Sequence, residues 1–177
     1  MKRIILVVLA LICGFNSFSQ ETQSNEVANI SLPNGTKRII GTELQTFLNK
    51  RKDSKIGPLK PGVNANTTDF YSIDEMVIKL VRAKGVAPAG YLENMKKGLD
   101  EMYKLSLPKN YFSRIKSINN YKVLLVSYDQ DSLSYVHFYS LSNDYKGAIN
   151  GVAEFNFSDK KKNTENFDKV LNGINFK

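Results

Sequence analysis

Residues that commonly build metal centres or nucleophilic active sites are scarce in this chain. Its 177 residues include one cysteine, Cys13, and one histidine, His137. Zinc sites draw on several cysteine and histidine ligands, and a Ser/His/Asp or Cys/His catalytic arrangement would have to use His137. We therefore expect no zinc site. His137 is predicted in the middle of a strand, where a packed, hydrogen-bonded histidine is the more common outcome.

Long apolar runs are also absent, apart from a short one at residues 4–12. That run follows Lys2 and Arg3 and precedes small residues at Ser17 and Ser19, which is the three-part plan of a Sec signal peptide. It falls short of the roughly 20 residues that span a bilayer, so we expect no transmembrane segment. We predict a signal peptide over residues 1–19 and a protein that is periplasmic or secreted.

Cys13 leaves one alternative open, a lipoprotein acylated on that cysteine. The residue before such a cysteine is normally small, whereas here it is the bulky Ile12. If Cys13 leaves with the signal peptide, no disulfide can form, and an ordinary core must stabilise the fold.

Basic residues outnumber acidic ones, 25 to 17, and the formal net charge is +8. Much of the excess lies at residues 50–60 and 160–162. Nucleic-acid sites interleave cations with exposed aromatic residues along a groove, and these two stretches do not show that pattern. We therefore expect no nucleic-acid partner. A solvated lysine-rich face explains the charge, and weak attraction to anionic surfaces is the alternative.

The longest stretch with a clear secondary-structure pattern is residues 111–157, which predict a β-meander. Runs rich in Val, Ile, Tyr and Phe are separated by polar breaks at 119–120, 129–132 and 142–147. Residues 121–128 are bulky on both alternating faces, which indicates a sheet covered on both sides.

The remaining segments are predicted to form the helices that cover this sheet and the strands that accompany it. We predict a flexible tail at 20–26 and then a single domain over 27–177 with an α+β fold, an antiparallel sheet flanked by helices. The predicted elements are a strand ending at Pro33-Asn34-Gly35, a helix from Thr42, a hairpin of 69–73 with 76–83, helices from Pro88 to Lys104 and over 161–171, and a short strand or docked tail at Ile174–Phe176. A helix beginning near Ile73 is the alternative to the hairpin.

Two features suit partner binding. Residues 52–68 are rich in Pro, Gly and Asn, and a loop this long, carrying Lys55 and Lys60, is often functional. Tyrosines cluster in the meander, and tyrosine is common at interfaces. The alternative is that these rings cover the sheet beneath the helices. The candidate contact residues are Tyr128, Tyr135, Tyr139 and Tyr145.

The acidic residues form no recognisable site. Asp129 and Asp131 could bind Ca²⁺, but the spacing that follows does not fit an EF-hand, and turn formation explains the pair. A hydrolase would need two carboxylates facing one cleft. The candidates are Asp69, Asp74, Glu75 and Glu154, and no cofactor is expected.

The signal peptide, the Leu32-Pro33-Asn34-Gly35 turn after a strand, and the closing patterns at 151–160 and 167–176 together resemble the PsbP-like group. The resemblance implies an α/β/α sandwich, shared with the Mog nuclear-import factor, and a non-enzymatic assembly or binding role. Our leading hypothesis is an exported, non-catalytic protein that binds a protein or other macromolecule. A carrier of a small apolar ligand is the alternative, and a carboxylate-dependent hydrolase is a weaker one.

Overall fold

The computed structural model describes residues 22–50, 68–106 and 108–177. The predicted signal peptide and most of the predicted 52–68 loop, including Lys55 and Lys60, lie outside these residues. None of the helices in the described ranges is long and apolar enough to cross a membrane.

Strands make up about half of the described residues, and three helices accompany them. The strands are β1 (Thr22–Ser24), β2 (Ala28–Ser31), β3 (Lys37–Arg38), β4 (Thr68–Ile73), β5 (Met76–Lys84), β6 (Lys109–Ile118), β7 (Tyr121–Gln130), β8 (Leu133–Ser142), β9 (Gly147–Asn156) and β10 (Ile174–Phe176). The helices are α1 (Gly41–Lys50), α2 (Tyr91–Ser106) and α3 (Lys160–Asn172), and a 3₁₀ turn, Phe157–Asp159, leads into α3. The predicted α+β class with an antiparallel sheet is confirmed.

The main sheet has seven strands in the order β3-β4-β5-β9-β8-β7-β6, and every neighbouring pair is antiparallel. The predicted meander forms four consecutive strands, β6 to β9, and the predicted hairpin forms β4 and β5. Asp74, Asn119 and Asp131 close three of the turns with positive φ angles of 51°, 48° and 54°. Asp and Asn tolerate this left-handed conformation better than most residues, so the turns lie where the polar breaks predict them.

A second sheet of three strands was not predicted. β2 lies at its centre, between β1 and β10. The sequence predicts a flexible tail over residues 20–26, and this is wrong for Thr22–Ser24, which pair with Asn29, Ile30 and Ser31. A polar segment carries no apolar pattern of its own, and here it is ordered by hydrogen bonds to a buried neighbour.

Helix α2 begins three residues later than predicted. Gly90 has φ 74°, and the Tyr91 N–H donates to the Pro88 carbonyl at 3.2 Å, so Pro88 belongs to a turn before the helix. A residue in the left-handed region cannot continue a right-handed helix, and glycine adopts that region at little cost. The apolar stripe predicts the helix correctly, but the proline does not mark its start.

The two faces of the main sheet have different covers. One face, the α3 face, buries Ile78, Leu80 and Phe138 beneath α3 and the small sheet. The opposite face, the α2 face, packs Leu124 and Val126 against Leu92 of α2 and its neighbours. Leu44 of α1 packs on the same side, in a cluster with Ile39 and Phe70. The prediction that both faces carry apolar residues under cover is confirmed.

Candidate functional site

The predicted tyrosine surface is only partly exposed. Tyr128 and Tyr135 are 2% and 4% exposed, while Tyr139 and Tyr145 are half-buried. The Tyr128 ring lies 5.3 Å from Tyr135 and 5.2 Å from Tyr103 of α2, centroid to centroid. Tyr128 and Tyr135 therefore fill the space beneath α2, as the alternative interpretation predicts, and they cannot form an exposed contact surface.

His137 is half-buried on the same face. Its ring stacks on Tyr128 at 5.7 Å, and its Nε2 lies 3.3 Å from the Tyr128 hydroxyl oxygen. Burial lowers the pKa of His137 to about 4, so the ring is neutral near pH 7. Its direct cross-strand neighbours are Val126 and Val152, and Glu154 lies one pair further along on the same face. The histidine occupies a packed position within the sheet, with one hydrogen-bonded neighbour.

Of the candidate carboxylates, Asp69 and Glu154 lie on different faces of the sheet, and Asp74 and Glu75 are neighbours in the β4–β5 turn. Asp69 is buried on the α3 face and contacts Arg38 and Arg82. Glu154 is buried on the α2 face, because it pairs in register with Tyr135. Asp74 lies in the β4–β5 turn, where it contacts Lys162 at 3.2 Å. Asp69 and Glu154 are thus on opposite sides of the sheet and cannot share a cleft.

Asp129 joins three elements at one end of the sheet. Its carboxylate accepts hydrogen bonds from Ser134 Oγ at 2.6 Å, Asn110 Nδ2 at 2.6 Å and Lys160 Nζ at 3.0 Å. Burial opposes ionisation of Asp129, but these donors outweigh it and lower its pKa. Asp131 is exposed in the turn. Within residues 22–50, 68–106 and 108–177, no group of three or more His, Cys, Asp or Glu residues could hold a metal ion.

The two edges of the main sheet differ in length. One edge is β3, a strand of two residues, and the other is β6, a strand of ten. In the described residues, β6 forms ladder bonds with β7 only, and none of the other backbone hydrogen bonds involves β6. Among the described residues, the backbone donors and acceptors on the outer side of β6 therefore have no backbone partner.

Side chains on β6 give this edge a distinct chemistry. Phe112 is 46% exposed, and the Arg114 guanidinium lies 5.3 Å from the centre of its ring. Lys116 lies on the same face and contacts Asp168 of α3 at 3.2 Å. Arg114 makes no ion pair with any described residue. The edge thus combines an exposed aromatic ring with a cation that forms no ion pair within the described ranges.

A cleft of about 200 Å³ opens beside these side chains, between α3 and strands β6 to β9. Leu125, Val136, Phe155 and Phe167 supply much of its apolar wall, and Phe112 and Arg114 line its β6 side. Lys160 and Asp168 lie on the α3 side. An apolar hollow, the exposed Phe112 ring and the Arg114 cation therefore lie side by side here.

Larger grooves in the described part of the chain are more open. One of about 590 Å³, between α3 and the small sheet, is lined by Asn34, Asn166, Asn172 and Asn175 together with Ser31 and Lys169. Another, of about 410 Å³, lies at the β7–β8 turn beside Tyr103 and Pro108. Neither has the apolar wall of the cleft.

No protein-family model matches the chain, and comparison with curated protein sequences finds no significant match.

The β6 edge is not among the candidate sites that the sequence predicts. Lys109, Arg114 and Lys116 give β6 a more polar pattern than β7 or β8, and charged residues of this kind are common on edge strands. This polar pattern is the sequence signal that could have identified β6 as an edge strand. The order of strands within a sheet, however, depends on tertiary pairing.

Proposed function

We propose that this protein is an exported, non-catalytic binding protein that holds an extended segment of another polypeptide against the β6 edge. The observation that carries the proposal is the ten-residue edge strand with an exposed aromatic side chain, on a sheet whose opposite edge is only two residues long. Strand addition to an open edge is a recurring mode of peptide recognition, because main-chain hydrogen bonds supply affinity.

Charge favours a foreign segment over a second copy of this chain. Arg114 and Lys116 lie along β6, so pairing two β6 strands would bring like charges together. Like charges opposite each other on neighbouring strands destabilise the pairing. An acidic segment would instead be attracted.

Cavity size and lining bear on the alternative of a small-ligand carrier. Sites for drug-sized ligands usually measure about 300–1,000 Å³ and are mostly apolar. The apolar cleft between α3 and the sheet is about 200 Å³, which suits one side chain better than a free ligand. The grooves of about 590 and 410 Å³ are large enough, but they are more open and lack this apolar wall. For the hydrolase, the separation of Asp69 from Glu154 argues against a shared catalytic cleft.

Export and the finer fold assignment also belong to this proposal. The pattern over residues 1–19 supports Sec-dependent export, and the helices on both faces suit the α/β/α sandwich of the PsbP-like group. Expression of the full chain in a bacterial host with a periplasm, followed by N-terminal sequencing of the exported protein, tests the cleavage after Ser19. A chain recovered intact from the cytoplasm would contradict export.

Hydrogen exchange tests the binding mode. The probe is a ten-residue peptide in which acidic and apolar residues alternate, and the control is the same peptide with proline at alternate positions. We expect the outward amides of β6 to exchange at least about tenfold more slowly with the first peptide and unchanged with the second, because proline has no backbone donor. Unchanged β6 exchange at millimolar peptide, or protection that appears without peptide as protein concentration rises, would overturn the proposal.

A further inference from the structure

The cleft beside β6 has the features of a pocket for one side chain. Its volume of about 200 Å³ is below the range of most small-molecule sites. Its wall includes Leu125, Val136 and Phe167, so an aliphatic or aromatic group that enters it loses contact with water.

Arg114 determines the charge that this site prefers. Its guanidinium stacks on Phe112 at 5.3 Å, is exposed, and has no acidic partner among the described residues. The two neighbouring cations differ from it, because Lys116 contacts Asp168 at 3.2 Å and Lys160 contacts Asp129 at 3.0 Å. Arg114 is therefore the cation beside the cleft that is available for a carboxylate, which its planar fork can bind in bidentate fashion.

Spacing along β6 links the pocket to the cation. Phe112 and Arg114 are two residues apart, and they point to the α3 face because side chains alternate along a strand. On a strand added outside β6, the residues opposite them would also be two apart and on the same face. Directly opposite residues have Cβ atoms about 4.5–5.5 Å apart, which is within reach of both the cleft and the guanidinium.

We infer that the bound segment carries an apolar residue and an acidic residue two positions apart, with the apolar side chain in the cleft and the carboxylate on Arg114. This inference rests on the proposed function and adds the chemical class of the partner. The order of the two residues depends on whether the added strand runs parallel or antiparallel to β6. Peptides with both orders therefore enter the test.

The experiment compares the affinities of labelled ten-residue peptides for the full chain by fluorescence anisotropy, with β6 amide exchange measured in parallel. One peptide carries phenylalanine and aspartate two positions apart, in either order. Matched peptides replace the phenylalanine with serine or the aspartate with lysine. We expect each replacement to weaken binding by about tenfold, since the pocket and the cation each lose their partner.

Variants of the protein locate the effect. Arg114→Glu should weaken the aspartate peptide about tenfold and strengthen binding of the lysine peptide, while Lys97→Glu, the same charge change on exposed α2, should change neither by more than about twofold. Thr164→Phe fills the cleft from α3 and should weaken the phenylalanine peptide. Glu165→Phe is its control, because that neighbouring residue is exposed and does not line the cleft.

The outcomes separate this inference from the proposed function. If all peptides protect the β6 amides equally and the variants change nothing, strand addition stands and the pocket assignment is overturned. If no peptide protects β6, the proposed function fails, and the cations then serve to guard the edge against unwanted pairing. If the phenylalanine peptide binds in the cleft without β6 protection, both the strand geometry and the two-residue spacing are wrong.

Discussion

The α3 face of the main sheet carries the larger apolar core, whereas on the α2 face a smaller apolar cluster is joined by hydrogen bonds between ionisable and aromatic side chains. On the α3 face, Phe138 is fully buried and meets Phe167 edge-on at 5.6 Å. On the α2 face, Asp100 of α2 accepts hydrogen bonds from Tyr111 Oη at 2.6 Å and Ser113 Oγ at 2.5 Å. Most of the fully buried apolar side chains therefore lie on the α3 face, while α2 is also held by directional contacts that depend on pH.

The largest effect is expected from Phe138→Ala. This substitution removes a fully buried ring and leaves a cavity between the sheet and α3, so the free energy of unfolding should fall by about 3–5 kcal/mol. Urea denaturation measures the change. Phe157→Ala is the matched control, because Phe157 is 51% exposed and its loss should cost about 0.5 kcal/mol or less. Equal losses from the two variants would contradict the assignment of this face as the main core.

Gly151→Ala should destabilise the protein by overpacking, whereas Phe138→Ala leaves a cavity. A Cβ at residue 151 would lie 2.2 Å from the Lys79 carbonyl oxygen and 2.5 Å from a ring carbon of Phe138. We expect a loss of about 1–3 kcal/mol in thermal or urea denaturation. At Gly98 of α2 nothing lies within 4 Å of the added Cβ, so Gly98→Ala should stabilise the helix by about 0.5–1 kcal/mol. The same sign for both variants would contradict the packing described.

Asp100→Asn should weaken the contact between α2 and β6 more than it affects the α3 face. Donors from Lys96, Ser113 and Tyr111 lower the pKa of Asp100 to about 2, and the neutral amide loses the charge-assisted part of these bonds. At pH 7 we expect a loss of about 1–3 kcal/mol, with faster amide exchange in α2 than in α3.

The pH dependence gives a second test of Asp100. Because the folded-state pKa lies below the unfolded value, the carboxylate's contribution is present above about pH 4 and is lost as the pH falls toward 2. The stability difference between the native chain and Asp100→Asn should therefore shrink below pH 4. A constant difference from pH 7 to pH 3 would exclude the ionised carboxylate as its source.

At pH 7 the smallest effect is expected from protonation of His137, because its ring is mostly neutral in both the folded and the unfolded chain. Its pKa is lowered to about 4 by burial, so between the unfolded value of about 6.5 and pH 4 the unfolded chain binds the proton more readily. Stability should fall as the pH decreases through that window, by at most about 1.4 kcal/mol per pH unit. A His137→Gln variant should lose this slope. An NMR titration that places the His137 pKa above 6 would contradict the burial of the ring on the α2 face.

Much of the secondary structure could be predicted, because it depends on local patterns. Runs of Val, Ile, Tyr and Phe broken by Asn119-Asn120 and by Asp129–Ser132 predict the meander, and the stripe through Leu92 and Leu99 predicts α2. β1 could not be predicted, since Thr22–Ser24 carry no periodic apolar signal and are ordered by pairing with β2. The start of α2 was misplaced because Gly90, rather than Pro88, ends the preceding turn.

The candidate site was less accessible to sequence reasoning. The clustering of tyrosines in the meander predicts Tyr128 and Tyr135 as contact residues. Whether these rings are exposed, however, depends on where α2 packs. Phe112 and Arg114 were not proposed, because their importance comes from the position of β6 at the end of the strand order. Lys55 and Lys60 lie outside the described residues, so their proposed role is still a prediction.

By itself the sequence determined the types of element and their order, because backbone propensity and apolar periodicity act over a few residues at a time. The tertiary structure determines which strand lies at the long edge of the sheet, which tyrosines are buried, and which carboxylates contact arginines. These outcomes depend on contacts between residues far apart in the chain, such as Asp69 with Arg38 and Lys160 with Asp129, and no local pattern encodes them.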